Sequence, residues 1–163
     1  MRHELHVDMR RVEDSDYVEA SRRLHQVCIE INRRGPTAAL LLQRAYLEIS
    51  ARNFVQAAQA AQEALGKDAA MLEAELVLGR ALFYQALVRA GVMEGANGTG
   101  LGNPGPQILE AYRRISNYVA AAPLDAEAEL LCGYLDKLVM RNRDSSRMVA
   151  QLRRDFSPTA CEA

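Results

Sequence analysis

The segment 53–65 reads Asn-Phe-Val-Gln-Ala-Ala-Gln-Ala-Ala-Gln-Glu-Ala-Leu. Its alanines Ala57, Ala61 and Ala64 recur at the spacing of one helix face, and the asparagine before Phe54 is a preferred helix N-cap. Small side chains on a helix face let neighbouring helices approach closely. The segment therefore predicts a helix that packs tightly against its neighbours.

Small residues recur along the chain at a separation of 34 residues, or of 54 residues where a loop intervenes. The pairs 34 apart are Ala45 with Gly79 and Ala111 with Ser145, and the pairs 54 apart are Ala57 with Ala111 and Gly79 with Gly133. The 20-residue difference falls between Gly79 and Ala111, where the glycine- and proline-rich segment 91–106 lies. A two-helix unit of about 34 residues cannot bury its apolar face alone, so copies of it stack. We therefore expect a helical repeat with one inserted loop, whose function is binding rather than catalysis.

Turn residues and apolar periodicity predict seven helices, at about 14–33, 36–50, 54–65, 69–90, 106–122, 125–140 and 145–156. We expect Gly35 to end the first helix, Pro36 to occupy the first turn of the second, and Asn53 to cap the third. The length suits a single domain, 1–163, with flexible ends at 1–13 and 157–163 and an inserted loop at 91–106.

A recurring line of side chains identifies a family resemblance. It consists of a small residue, an apolar residue four positions later, another three positions after that, and then proline, as in Ala111, Ile115, Tyr118 and Pro123. With the dipeptide Leu78-Gly79, this pattern resembles the tetratricopeptide repeat, over nearly the whole chain. The resemblance implies an all-α stack of antiparallel helix pairs in a right-handed superhelix, with three degenerate repeats after a leading helix. The chain departs from the family in having no tryptophan and in the insert within its middle unit.

In that family the first helix of each unit lines a groove. The resemblance implies that the groove residues here are Leu42, Tyr46, Ile49, Leu76, Arg80, Phe83, Tyr84, Leu130, Tyr134 and Lys137. Such an aromatic and aliphatic lining favours an extended or short helical peptide with apolar residues and at most one acidic group. The alternative is that these aromatic side chains fill the core between helices.

Two other binding modes follow from the same resemblance. Family members that bind acidic chaperone C-termini use Lys, Asn and Arg at set positions, which here carry Leu42, Tyr46, Val77, Glu127 and Leu131, so that ligand is disfavoured. Size and repeat number are also similar to the small chaperones of type III secretion translocators. A self-assembling module, such as a homodimer paired through an apolar end face or the insert, is the alternative to peptide binding.

Composition and motifs argue against other function classes. The formal net charge is -1, which gives no reason to expect nucleic acid or a membrane surface as partner. The N-terminal sequence lacks the apolar core of a signal peptide, so we expect a cytoplasmic protein. His3 and His6 are three residues apart where a zinc-protease helix needs four. Segment 98–102 lacks the Lys-Ser/Thr of a phosphate loop. We expect no metal, cofactor or enzymatic activity, although an active site without local motif stays open.

Overall fold

The computed structural model describes residues 14–95 and 101–156, with side chains from residue 18 onward. Within these ranges the chain forms seven α-helices and no β-strand, which confirms the expected all-α class. The helices are α1 (Asp14–Arg34), α2 (Ala38–Ser50), α3 (Phe54–Lys67), α4 (Leu72–Arg89), α5 (Gly105–Ala121), α6 (Ala126–Arg141) and α7 (Ser145–Phe156).

The connection between α1 and α2 confirms one turn prediction and corrects another. Gly35 has a φ of 84°, and its N–H donates to the Ile31 carbonyl at 2.8 Å, so it ends α1 as expected. Pro36 lies outside α2 rather than in its first turn. The reason is that Thr37 is the N-cap, since its hydroxyl accepts a hydrogen bond from the Leu40 N–H at 3.2 Å.

The turn between α2 and α3 is held by Glu48 rather than by a side-chain cap. Asn53 occupies the N-cap position of α3 as expected, but its side chain makes no capping hydrogen bond. Its amide donates instead to the buried Glu48 carboxylate at 2.8 Å, and its N–H donates to the Glu48 carbonyl at 2.8 Å. Arg52, with a φ of 59°, takes the left-handed position that ends α2. Two hydrogen bonds from one residue therefore fix this turn.

The connection between α4 and α5 contains the predicted insert. Gly91, with a φ of 75°, follows the end of α4, and Pro106 lies in the first turn of α5. The N–H of Gly102 donates to the carbonyl of Arg89 at 3.1 Å, so the far side of the insert returns to the C-terminus of α4. Residues 96–100 lie outside the described ranges.

Each helix from α1 to α5 packs against the next along the chain, and α2 also packs against α4. An alanine-rich core, which includes Ala45, Ala57 and Ala61, joins α2, α3 and α4. A second core of larger side chains joins α4, α5, α6 and α7, with Ile108, Ile115 and Leu135 fully buried. The alanine face read from the sequence therefore does pack against neighbouring helices.

The last helix, α7, does not lie along α6 as the second helix of a regular pair would. The backbones of α6 and α7 approach each other at few points. Instead, the Arg153 guanidinium donates to the Ala90 carbonyl at 2.9 Å, and the Phe156 ring lies 5.9 Å from that of Phe83. Helix α7 therefore reaches the C-terminal end of α4.

Replacing the N-cap Asp125 with alanine is expected to lower the free energy of unfolding at neutral pH by about 1 kcal/mol. The Asp125 carboxylate accepts hydrogen bonds from the Ala128 N–H at 3.1 Å and the Tyr118 hydroxyl at 2.8 Å. Both donors hold the pKa of Asp125 below its usual value of 3.8, and the Ala128 N–H has the larger effect of the two. The stabilisation is therefore present above the unfolded pKa and is lost as the pH falls through the lower folded pKa.

Urea titrations of wild type and Asp125→Ala at pH 7 and in acid test this expectation. The difference between the two proteins should shrink in acid, and Asp125→Asn, which keeps a capping oxygen, should lose less than the alanine variant. A difference of equal size at both pH values would contradict the charged-cap explanation.

Candidate functional site

The ten residues expected in a groove come from three helices that lie next to one another. Helix α2 packs against α4, and the Phe83 ring of α4 lies 6.1 Å from the Tyr134 ring of α6. Phe83 is an exception among the ten, because only 2% of it is exposed. We call the other nine the α2/α4/α6 face: Leu42, Tyr46, Ile49, Leu76, Arg80, Tyr84, Leu130, Tyr134 and Lys137.

Members of the α2/α4/α6 face differ in how far they reach the surface. Tyr46 is 39% exposed and Lys137 is also exposed. The other seven are half-buried; of these, Leu42 and Ile49 pack against the alanine-rich core and Tyr84 against the second core. The same side chains therefore contact the core and remain partly accessible at the surface.

An aromatic cluster lies at the C-terminal end of α4. The Tyr84 ring lies 5.1 Å from that of Phe54, and the Tyr134 ring lies 5.5 Å from that of Phe156 in an edge-on arrangement. Phe83 lies between them, 6.1 Å from Tyr84. These are the distances at which aromatic pairs attract each other. Phe83 is thus a core residue, which corrects its expected role in the groove.

Tyr46 lies in a different, charged environment. Burial raises the pKa of the Tyr46 phenol above its usual value, the Glu73 and Asp125 carboxylates raise it further, and Arg80 lowers it. Tyr118 donates to Asp125, and this hydrogen bond is the main cause that raises the pKa of Tyr118. Groups from α4, from the end of α5 and from the N-cap of α6 therefore interact electrostatically with one partly exposed tyrosine of α2.

Sequence reasoning missed three members of this environment, namely Glu73, Tyr118 and Asp125. The sequence did contain a signal for Glu73, because this residue lies three positions before Leu76 on the same helix face. Nothing local in the sequence indicates that Tyr118, at the end of α5, lies near Tyr46 of α2. That proximity depends on how tightly the helices curve around one another.

Two tyrosine hydroxyl groups of the face, those of Tyr84 and Tyr134, have hydrogen-bond partners. Arg80 donates to the Tyr84 hydroxyl at 3.4 Å, and the Tyr134 hydroxyl donates to the Asp155 carboxylate at 2.8 Å. In residues 18–95 and 101–156 there is no group of three histidine, cysteine or acidic side chains that could hold a metal ion. The arrangement can offer aromatic and aliphatic contacts with flanking charges, which suits the binding of a side chain.

A separate open cleft of about 570 Å³ lies between α1 and α2. It is lined by Arg23, Gln26, Val27, Ile29, Glu30, Leu40 and Gln43. Its lining mixes both charges with amides and a few aliphatic groups, and no aromatic side chain contributes to it. We therefore place the candidate site on the α2/α4/α6 face and not in this cleft.

Comparison of the chain with protein-family models, with curated proteins and with solved structures finds no match. Among the helices that the structure describes, none combines the length and apolar character needed to cross a bilayer.

Proposed function

We propose that the protein is a peptide-binding module, an adaptor or small chaperone, which holds a partner segment on the α2/α4/α6 face. One observation carries the proposal: a partly exposed tyrosine and half-buried leucines come from three helices that are not consecutive in the chain. Stacked helix pairs form a groove when alternate helices present one face and the intervening helices, here α3 and α5, lie behind them. Aromatic anchors surrounded by aliphatic contacts are typical of interface hot spots.

Under this proposal, α2 with α3 and α4 with α5 are tetratricopeptide units, and the face is concave. Helix α6 begins a third unit whose second helix, α7, has turned to cover the end of α4. The partner is another protein rather than nucleic acid or membrane, and the setting is cytoplasmic. The face requires no cofactor and no catalytic group.

Replacing Tyr46 with alanine is expected to weaken peptide binding about tenfold, since truncating a central aromatic anchor costs 1–2 kcal/mol or more. The probe is a set of 12-residue peptides selected on the wild-type protein from a random display library and measured by fluorescence anisotropy. Because Tyr46 is 39% exposed, the urea midpoint should change little, so loss of binding would not reflect loss of fold.

Leu109→Ala is the matched control. Leu109 is 53% exposed and lies on α5, on the opposite side of that helix from Tyr118. This variant should bind the selected peptides as wild type does. Failure to select any peptide, or selected peptides that bind Tyr46→Ala and wild type equally, would overturn the proposed function.

Self-assembly is a second candidate, because α1 leaves the apolar side chains Val18 and Ile29 exposed at 67% and 45%. Both lie on one stripe of the helix. Arg22 and His25 lie between them on that stripe and are also exposed, which interrupts the apolar surface. We therefore prefer peptide binding. Sedimentation velocity across a concentration series tests the choice: a dimer that Ile29→Lys dissociates would favour assembly.

A further inference from the structure

Helix α7 carries its large apolar side chains on one face. Met148, Leu152 and Phe156 recur every four residues, and each is at most 6% exposed. They pack in the second core, with side chains from α4, α5 and α6. Arg147 and Arg154, on the other side of the helix, are exposed. Helix α7 is thus an amphipathic helix that packs through a stripe of three residues.

The end of this stripe lies against residues that were expected to line the groove. The Phe156 ring lies 5.9 Å from that of Phe83 and 5.5 Å from that of Tyr134. Phe83 and Tyr134 both belong to the ten expected groove residues, and they come from α4 and α6, two of the three helices of the α2/α4/α6 face. Helix α7 therefore covers the aromatic end of that face, with Phe156 as its anchor.

Polar contacts hold the same end of α7. The Tyr134 hydroxyl donates to the Asp155 carboxylate at 2.8 Å. The Arg153 guanidinium donates to the carbonyl of Ala90, which follows the last turn of α4, at 2.9 Å. A cation is favourable at such a position, because the carbonyls at a helix C-terminus lack partners within the helix. Apolar residues on one helix face, flanked by polar contacts at the rim, are the features by which a helical peptide binds a groove.

A purely structural second helix of the third unit would pack along α6, as α3 packs along α2. The backbones of α6 and α7 instead approach each other at few points. A helix of 12 residues is marginally stable alone, so the helical form of α7 depends on the surface that it covers. Because α7 is the last helix of the described stack, its local opening leaves the contacts among α1 to α5 in place.

We infer that α7 is an internal ligand of the α2/α4/α6 face, and that the partner segment displaces it with an amphipathic helix of the same chemistry. That segment carries three large apolar residues spaced four positions apart, the last of them aromatic, with one acidic residue beside the aromatic one. The inference rests on the proposed function, and it names the ligand pattern and the segment that competes with the ligand. The acidic residue corresponds to Asp155, which accepts from Tyr134.

A synthetic peptide with the sequence of residues 145–156 provides the first test, by fluorescence anisotropy on the full chain. In wild type the tethered α7 competes at a high effective concentration, so the added peptide should bind weakly. Phe156→Ala in the chain removes the anchor of α7 and should tighten binding of the peptide about tenfold or more. A peptide with alanine in place of its phenylalanine should bind neither protein.

Arg153→Gln is the second variant, because it shortens and neutralises the donor to Ala90 and keeps the apolar stripe intact. It therefore keeps the test decisive if Phe156→Ala unfolds the domain. We expect it to tighten binding of the peptide about fivefold. Arg154→Gln is the matched control, since the exposed Arg154 donates to Gln151 within α7 at 2.9 Å. It should leave the affinity unchanged.

Hydrogen exchange measures whether α7 opens separately from the rest of the domain. In wild type the amides of α7 should exchange faster than those of α5 around the fully buried Ile115. Arg153→Gln should accelerate exchange in α7 and not in α5, and Arg154→Gln should accelerate neither. Equal exchange rates in α7 and α5 would mean that α7 opens only with the whole domain, which contradicts the inference.

The outcomes separate this inference from the proposed function. A peptide that binds wild type, Phe156→Ala and Arg153→Gln equally, or that binds none of them, overturns the inference. Library peptides that need Tyr46 would in that case leave the proposed function standing. A library that yields no peptide dependent on Tyr46 overturns the proposed function and the inference with it, whatever the added copy of α7 does.

Discussion

Phe83→Ala is expected to lower the free energy of unfolding by about 3–5 kcal/mol, the usual loss when a fully buried phenylalanine is truncated. Phe83 is 2% exposed and its ring lies 6.1 Å, 6.1 Å and 5.9 Å from those of Tyr84, Tyr134 and Phe156. The variant loses apolar burial and leaves a cavity where α4, α6 and α7 meet. Since small domains are stable by only about 5–15 kcal/mol, the urea midpoint should fall sharply.

Two controls define the cause of that loss. Phe83→Leu keeps most of the apolar volume and should lose less stability than the alanine variant. Tyr46→Ala removes an aromatic side chain that is 39% exposed and should leave the urea midpoint almost unchanged. If Phe83→Ala unfolds at the wild-type urea concentration, the ring is not a core residue and the aromatic cluster is misplaced.

Gly79→Ala is expected to destabilise the protein by about 1–3 kcal/mol, the usual cost of overpacking a well-filled core. A Cβ at Gly79 would lie 2.6 Å from Cδ1 and 2.7 Å from Cγ1 of Ile115, which is itself fully buried. The helix gains about 1 kcal/mol in intrinsic propensity from alanine, and we expect the clash to exceed that gain. Helices α4 and α5 approach so closely here that a methyl group at Gly79 requires the Ile115 side chain to shift.

Gly133 provides the opposite case at the equivalent position, 54 residues later. A Cβ there would meet no atom within 4 Å, and the residue is exposed on α6. Gly133→Ala should therefore stabilise the protein by about 0.5–1 kcal/mol. Thermal and urea unfolding of both variants should give shifts of opposite sign. Two stabilising substitutions would contradict the close contact between α4 and α5.

Much of the fold followed from local sequence signals. Gly35 and the pair Gly91 and Pro106 mark helix ends because their backbone preferences act within a few residues. Asp125 caps the start of α6, and this signal is local as well, since its side chain reaches the N–H of Ala128. The spacing of alanines in α3 predicted a closely packed face, and this signal also lies within a single helix. These signals do not depend on the rest of the chain.

The candidate site was less predictable because its geometry is long-range. The family resemblance placed both Phe83 and Tyr84 at the groove, yet the position of Phe156 at the end of α7 buries the first of them. The charged surroundings of Tyr46 bring together residues 79 positions apart, Tyr46 and Asp125. Asn53 matched a capping pattern, but the nearby Glu48 carboxylate binds its side chain instead. Which partner the Asn53 side chain binds, a backbone N–H of α3 or the Glu48 carboxylate, is decided by the folded structure.

The most direct test of the proposed groove is the mapping of a bound peptide by NMR. A selected 12-residue peptide is titrated into isotopically labelled protein, and the amide and methyl shifts are followed. We expect the largest changes at Leu42, Tyr46, Leu76 and Leu130 on the α2/α4/α6 face. Changes concentrated instead on the exposed surfaces of α3 and α5, such as Glu63 and Leu109, would contradict it.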